Sequence, residues 1–343
     1  MNYNLMYIAA LLATFGITVL VSRKLIPILK SRKMGQTILD IGPRWHKSKE
    51  GTPTMGGLAF IFAVVIAGVA ASVYLALTDG IRSTLPFMFT LALGVVNGLI
   101  GCVDDAAKLR KKQNEGLTAP QKFLLQLVSG ALYLLGMTLV CGVDTTIYIP
   151  FVGAELDFGI FYYLIAILLL TGVDNAVNLT DGIDGLCSSV TLVVGLFFTA
   201  AGYMNGLAEP DGSVILLGAV MIGACAGFLV YNFYPARVFM GDTGSLFLGA
   251  LVVGCAFMAD NPLIILFAGL MYIIETASVM IQTTYFKFTR IRFGEGRRIF
   301  KMSPIHHHYE MCGWNEIKIV SVFGTAALIF CAITYLLDYV LLG

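Results

Sequence analysis

Gly212-Ser-Val-Ile-Leu-Leu-Gly-Ala-Val-Met-Ile-Gly-Ala-Cys-Ala-Gly-Phe-Leu-Val-Tyr-Asn-Phe-Tyr-Pro-Ala236 carries no charged side chain. A helix of about 20 such residues crosses a hydrocarbon layer of roughly 30 Å. A helix packed on a globular core shows an apolar stripe, whereas this segment is apolar all round. Met55–Thr78, Phe123–Val143, Gly185–Ala208 and Thr243–Ala259 repeat the pattern. In lipid only helices and closed barrels satisfy their own backbone, and runs of this length read as helices.

The composition agrees. Hydrophobic residues make up 58% of the 343 and charged residues 13%, against about 25% charged in a soluble domain. Mean hydropathy is +0.84. A net charge of +1 says nothing about nucleic acid, and no soluble domain that could bind it is evident, so no nucleic-acid partner is expected. The seven cysteines are scattered without a C-x-x-C pair, so neither a disulfide framework nor a zinc ribbon is indicated. Tyr3–Val21 lacks the basic start of a cleaved signal peptide and reads as a retained first span.

The length rule gives an all-α polytopic membrane protein of about ten helices, forming one integral-membrane domain over 1–343. They lie near 3–22, 55–77, 84–103, 122–142, 159–176, 185–204, 213–232, 244–259, 263–286 and 319–341. Between the fourth and fifth, 143–158 alternates like a short strand pair, predicting a small extracytoplasmic β-hairpin. Lysine and arginine orient this array. With ten spans, 21 of the 22 fall on one side and only Arg82 opposite. The positive-inside rule makes the crowded side cytoplasmic and puts both termini outside. Asp104, Asp105, Asp174, Asp181, Asp184, Asp242 and His306–His308 then fall on that same face, which points to a site assembled from several loops.

Five segments carry candidate chemistry. Asp104-Asp105-x-x-Lys108 ends the third span. Adjacent carboxylates can hold a divalent cation and a lysine one turn on can meet phosphate oxygens; a solvated helix end is the plainer alternative. Two like charges at a helix C-terminus oppose the macrodipole by about 0.3–1 kcal/mol each, which favours a bound cation. Asn175-x-x-Asn178-x-x-Asp181-x-x-Asp184-Gly185 joins the fifth and sixth spans, and a plain linker has no use for so many amides and carboxylates. An EF-hand is ruled out by the missing terminal Glu.

Asn232…Phe239-Met-Gly241-Asp242-Thr-Gly244-Ser245 opens the eighth span. Asp242 is either a helix cap or a ligand for a phosphate-bound cation, and the glycines leave backbone N–H groups open to an anion. Phe239 can stack on a base or pack beneath its loop. Pro304-Ile-His306-His307-His308-Tyr-Glu310 lacks the i, i+4 spacing of a zinc hydrolase and suits hydrogen bonding to phosphoryl groups. Lys49-Glu-Gly-Thr52-Pro-Thr54-Met-Gly56-Gly57 is either an anion ligand or an ordinary helix start. Glu275 lies in the ninth span, where a carboxylate at mid-membrane costs about 2.5–3.5 kcal/mol. It therefore faces protein, or that span breaks near it.

Taken together and in this order, these motifs resemble the phospho-N-acetylmuramoyl-pentapeptide-transferase family, a branch of the polyprenyl-phosphate N-acetylhexosamine-1-phosphate transferases. The resemblance runs from Lys49 to Glu310, and the ten-span layout covers the chain. It implies a multi-pass enzyme of the bacterial plasma membrane with its active site on the cytoplasmic side. Its substrates would be UDP-N-acetylmuramoyl-pentapeptide and undecaprenyl phosphate, its products lipid I and UMP, its cofactor Mg²⁺, and its assembly a homodimer. It further implies Asp242 as metal ligand, with Asp104, Asp105, Asp242 and His306 catalytic. Lys49, Thr54, Asn175, Asn178, Asp181, Asp184, Asn232, Phe239, Gly241, Gln282, His307 and His308 would recognise nucleotide and sugar. Lys108, Lys112 and Lys122 would face phosphate. The segment around Phe293–Arg298 is longer than many members carry, so no site is carried over inside Arg290–Arg298.

Overall fold

The computed structural model describes residues 3–32, 49–111, 116–204 and 211–341. Its long helices are α1 (Tyr3–Ser31), α2 (Gly57–Asp79), α3 (Leu85–Lys111), α4 (Ala119–Gly136), α5 (Phe161–Thr180), α6 (Leu186–Met204), α7 (Gly212–Asn232) and α8 (Gly241–Met258). The short α9 (Ile265–Ala268), α10 (Leu270–Phe293), the short α11 (Ile305–Glu310) and α12 (Glu316–Tyr335) follow. Nine helices among the described residues are long and apolar enough to span, or ten if one bent pair counts as a span. That pair is the expected ninth span: Pro262–Ala268 and Leu270–Phe293 meet at 79°. Gly269, at the break, supplies the N-cap of α10. Glu275 lies just beyond it and is fully buried in protein.

α7 and α8 form the centre, with buried side chains on almost every face. Backbones approach closely here because glycines leave room, as membrane helices do in the absence of a hydrophobic drive between them. Along α3, Gly94, Gly98 and Gly101 line the contact with α8. A Cβ on Gly101 would lie 2.1 Å from the Asp242 carbonyl oxygen. Gly57 of α2 meets Gly244 of α8 in the same way, a Cβ there falling 2.3 Å from the Gly244 Cα.

The expected hairpin is present. β1 (Thr146–Ile149) pairs antiparallel with β2 (Ala154–Asp157), Thr146 opposite Asp157 and Ile149 opposite Ala154. The turn is tied to the end of the last helix, Phe151 N–H donating to Asp338 Oδ1 at 2.9 Å. An open cavity of about 300 Å³ lies beside it, lined by Tyr148, Tyr162 and Asp260. This is the end of the bundle remote from the carboxylate motifs.

Candidate active site

α3 does not stop where the charges begin. It continues beyond Asp104 and Asp105 to Lys111, so the pair sits inside a helix and the opposed-macrodipole reading fails. Both carboxylates are buried, 3% and 4% exposed, and each has donors. Asp105 Oδ1 accepts from Asp242 N at 3.2 Å, and its Oδ2 accepts from Thr243 N at 3.0 Å and Thr243 Oγ1 at 2.7 Å. The side chain thus caps the N-terminus of α8 from a neighbouring helix, satisfying donors that α8 leaves open. The α8 terminus is consequently closed to a phosphate at those two N–H groups, against the expectation of an open glycine-flanked anion site. Gly241 serves the fit instead: its φ is +70°, and a Cβ there would fall 2.4 Å from Asp105 Oδ2 and 2.7 Å from Thr54 Oγ1.

Asp242 stands in the first turn of α8. Its Oδ2 accepts from Lys122 Nζ at 2.9 Å and Lys108 Nζ at 3.0 Å. Its Oδ1 accepts from Asn178 Nδ2 at 3.0 Å. Asn178 also donates to Ser245 Oγ at 2.7 Å and lies 3.4 Å from Lys122 Nζ through its own Oδ1. Lys108 bridges onward to Asp104 Oδ2 at 2.7 Å, while Asp104 Oδ1 accepts from Leu117 N at 2.7 Å. α3, α4, α5 and α8 therefore each contribute to one charge cluster. Lys122 is placed by the start of α4, where Gln121 Oε1 accepts from Thr118 N at 3.0 Å.

Asp104, Asp105 and Asp242 each offer an oxygen within 4.8 Å of the others. All-oxygen donors of this kind suit a hard divalent cation such as Mg²⁺, which needs only one or two carboxylates besides water and phosphate. Asp242 and Asp104 fit that role, since Oδ2 of each is held by ammonium groups on long, rotatable lysine stems. Asp105 fits it poorly, because both of its oxygens hold the head of α8.

Asp181 lies in the loop after α5, its carboxyl accepting no hydrogen bond among the described residues. Burial, reinforced by the negative charges of Asp242, Asp105 and Asp184, holds it well above the ordinary carboxylate range. Asp184 is held differently. Its Oδ1 meets Lys49 Nζ at 2.6 Å, and its Oδ2 accepts from Ala236 N at 2.8 Å. Lys49 also meets Glu316 Oε2 at 2.6 Å, and that oxygen accepts from Asp184 N at 2.9 Å. No motif marks Glu316 in the sequence, where it is an ordinary acid at the start of α12.

Asn232, buried, accepts from Gly185 N at 3.2 Å and donates to Val238 O at 3.0 Å, stitching the α5–α6 loop to the α7–α8 loop. Phe239 is half-buried, its backbone paired with Pro53 and Gly56. Thr54 is buried against Gly241. Asn175 lies deeper, donating to Gln126 Oε1 at 2.9 Å and Thr171 O at 2.8 Å. Gln282 holds the segment after α10: its Oε1 accepts from Ile299 N and Phe300 N, and its Nε2 donates to Phe300 O. Lys112 lies outside the described residues.

The histidines divide. His306 is 0% exposed. Its Nδ1 lies 3.0 Å from Glu275 Oε2, and its Nε2 abuts Gly182, where a Cβ would fall 2.1 Å away. In this structure it meets the Asp181–Gly185 loop at Gly182. His307 Nδ1 lies 2.6 Å from Glu310 Oε2, and His308 Nδ1 accepts from Lys301 N at 3.1 Å.

The model of glycosyl transferase family 4 matches residues 87–260, which hold the Asp104, Asn178 and Asp242 motifs. Phospho-N-acetylmuramoyl-pentapeptide-transferase signature 1 matches residues 49–61, beginning at Lys49. The phospho-N-acetylmuramoyl-pentapeptide-transferase of Clostridium botulinum (strain Alaska E43 / Type E3) is 42% identical over 96% of this chain and 95% of its own. Those of Staphylococcus saprophyticus and Halalkalibacterium halodurans are 41% and 40% identical, covering 95% and 96% of this chain and 97% and 96% of their own. The chain belongs to the phospho-N-acetylmuramoyl-pentapeptide-transferase family.

Proposed function

We propose that the chain transfers phospho-N-acetylmuramoyl-pentapeptide from its UDP conjugate to undecaprenyl phosphate, releasing UMP and leaving lipid I in the membrane, as a step of peptidoglycan synthesis. The observation that carries this is the sharing of one Asp242 oxygen by Lys108 and Lys122 at the head of α8. Two ammonium groups parked on one carboxylate are ready to turn to phosphate oxygens when a diphosphate arrives.

The reaction forms a bond between an oxygen of the lipid phosphate and the sugar-bearing phosphorus. The anhydride bond breaks, and its electron pair leaves with UMP. Such a transfer depends on positioning and on neutralising charge more than on a strong nucleophile. Lys108 and Lys122 supply positive charge from α3 and α4. Asp104, beside Lys108, is the candidate to take a proton from the lipid phosphate, whose second ionisation lies near pH 6 and asks only for a weak base. Asp242 would hold Mg²⁺, which when bound would neutralise the diphosphate and stabilise the departing UMP.

Asp105, Asn232 and His306 act as positioning residues: Asp105 fixes the head of α8, Asn232 joins two loops and His306 supports Gly182. Phe239 and Asp181 are the candidates for direct contact with uridine and sugar, since neither has its functional surface engaged. The active site faces the cytoplasm, both termini lie outside, and the enzyme works as a homodimer in the bacterial plasma membrane. The test supplies purified protein, Mg²⁺ and undecaprenyl phosphate with either UDP-N-acetylmuramoyl-pentapeptide or UDP-N-acetylglucosamine. UMP release should require the first, and preference for the second would overturn the reading.

A further inference from the structure

Below the charge cluster, between α3, α4, α5 and α8, lies a cavity of about 10 Å³. That is room for one water-sized body. Asn97, Gln126, Ser129, Thr171 and Asp174 give it a polar wall in an otherwise apolar setting. Two buried oxygens on this wall, Asn97 Oδ1 and Asp174 Oδ1, have no hydrogen-bond partner. Both residues are 3% exposed.

The neighbouring hydrogens are already engaged. Asn97 Nδ2 donates to Leu93 O at 3.0 Å and Ser129 Oγ at 3.2 Å, so reversing the amide would set its oxygen against a carbonyl. The hydroxyl of Ser129 donates to Gln126 O at 2.9 Å and that of Thr171 to Ile167 O at 2.8 Å. Gln126 Nε2 donates to the other oxygen of Asp174, Oδ2, at 2.7 Å. Two unpaired oxygens, two hydroxyls with only lone pairs to offer, and a carboxylate that no lysine or arginine contacts among the described residues remain. Burying such a charge unpaired is strongly unfavourable. We propose that this cavity is a monovalent-cation site, with sodium as its ligand, bound by Asn97, Ser129, Thr171 and Asp174.

The single carboxylate and the lack of room for water argue against divalent ions. Mg²⁺ keeps several waters, which the cavity cannot hold, and Ca²⁺ takes 6–8 oxygens, more than this wall presents. A single water could join the two unpaired oxygens but would leave the charge of Asp174 uncompensated. The position gives the site a consequence. Gln126 lies one turn from Lys122 on α4, and Asp174 one turn from Asn178 on α5, and those two residues hold Asp242. A cation here fastens α3, α4 and α5 together directly beneath the groups that orient the catalytic carboxylate.

Binding can be read without substrate, so its failure is separate from failure of the transferase reading. Purified protein in detergent is unfolded thermally at constant ionic strength in sodium, potassium or choline chloride, with EDTA present. The midpoint should rise saturably with sodium, less with potassium and not with choline. Asp174→Asn should abolish the sodium-dependent rise, and Thr171→Val, which removes one ligand and keeps the shape, should weaken the sodium midpoint about tenfold. Should Asp174→Asn not fold, Thr171→Val and Asn97→Ala carry the test. Equal midpoints in sodium, potassium and choline, or an unchanged sodium response in the variants, would overturn the proposal in favour of a protonated Asp174 or a bridging water.

Discussion

Asp105 on α3 accepts a hydrogen bond from the backbone N–H of Asp242 at 3.2 Å, so one acid of the cluster holds in place the helix that presents another. With Thr243 N and Thr243 Oγ1 also bound to it, removal of the carboxylate strands three donors in a buried place. Asp105→Ala should therefore destabilise the protein by about 1–3 kcal/mol. Asp105→Asn, which keeps one acceptor oxygen, should lose less. The Mg²⁺ concentration giving half-maximal UMP release should shift little in Asp105→Asn. A large shift with an unchanged thermal midpoint would make Asp105 a metal ligand instead of a cap.

Asp242→Asn gives the contrasting result. The amide keeps an oxygen acceptor and the shape of the site, while the charge that gathers Lys108 and Lys122 is gone. Turnover should fall on the order of 10²–10³-fold, the scale of losing one main electrostatic contact to a reacting centre. The thermal midpoint should stay near that of the parent. Retained turnover would remove Asp242 from the metal role.

The apolar runs made the helical membrane class legible, since a segment such as Gly212–Ala236, without charge from end to end, has one way to satisfy its backbone in lipid. Span ends were less so. Arg110 and Lys111 look like loop residues by charge, yet α3 runs through them, Asp104 being paired with Lys108 one turn on and Asp105 being held by the head of α8. The motif residues were legible as chemistry, but their division of labour was not. Nothing in Asp104-Asp105 says which one caps a helix 137 positions away, and nothing in Glu316 says that it shares Lys49 with Asp184. Such facts depend on tertiary approach, here set by glycines whose fit is invisible until two helices meet.

The Lys49–Asp184–Glu316 triad should behave as one unit. Lys49 bridges both acids at 2.6 Å, and its side chain is only 14% exposed. Glu316→Gln and Asp184→Asn should each lower the thermal midpoint. Their combination should cost less than the sum, with a coupling of about 0.5–3 kcal/mol. Strict additivity would show that the triad is two independent pairs.

Asp181 predicts a pH signature. Its folded-state pKa is raised from the ordinary 3.8 by burial and by neighbouring negative charge. An acid with a raised pKa favours the folded state in its protonated form, so its contribution is fully present below about pH 4. It is lost as pH rises through the folded-state value. Asp181→Asn removes that loss. In EDTA the variant should match the parent near pH 4 and be more stable at about pH 7–8. An equal difference at both pH values would contradict the assignment.

His306 meets the site at Gly182. Its Nε2 presses on Gly182, at a distance that leaves no room for a methyl group, and the backbone of Gly182 is not in the positive-φ region that strains an L-residue. Gly182→Ala should therefore act by steric displacement alone, overpacking that typically costs about 1–3 kcal/mol. It should lower both UMP release and thermal stability. His306→Ala should lower release as well, by leaving the Asp181–Gly185 loop unsupported and the Glu275 carboxylate without its imidazole partner. If the histidine works through contact with the loop, the double variant Gly182→Ala/His306→Ala gains back what the added methyl took away. Its release and midpoint should then be no lower than those of His306→Ala alone. Independent, multiplying losses in the double variant would mean that His306 acts on the substrate by a route other than Gly182.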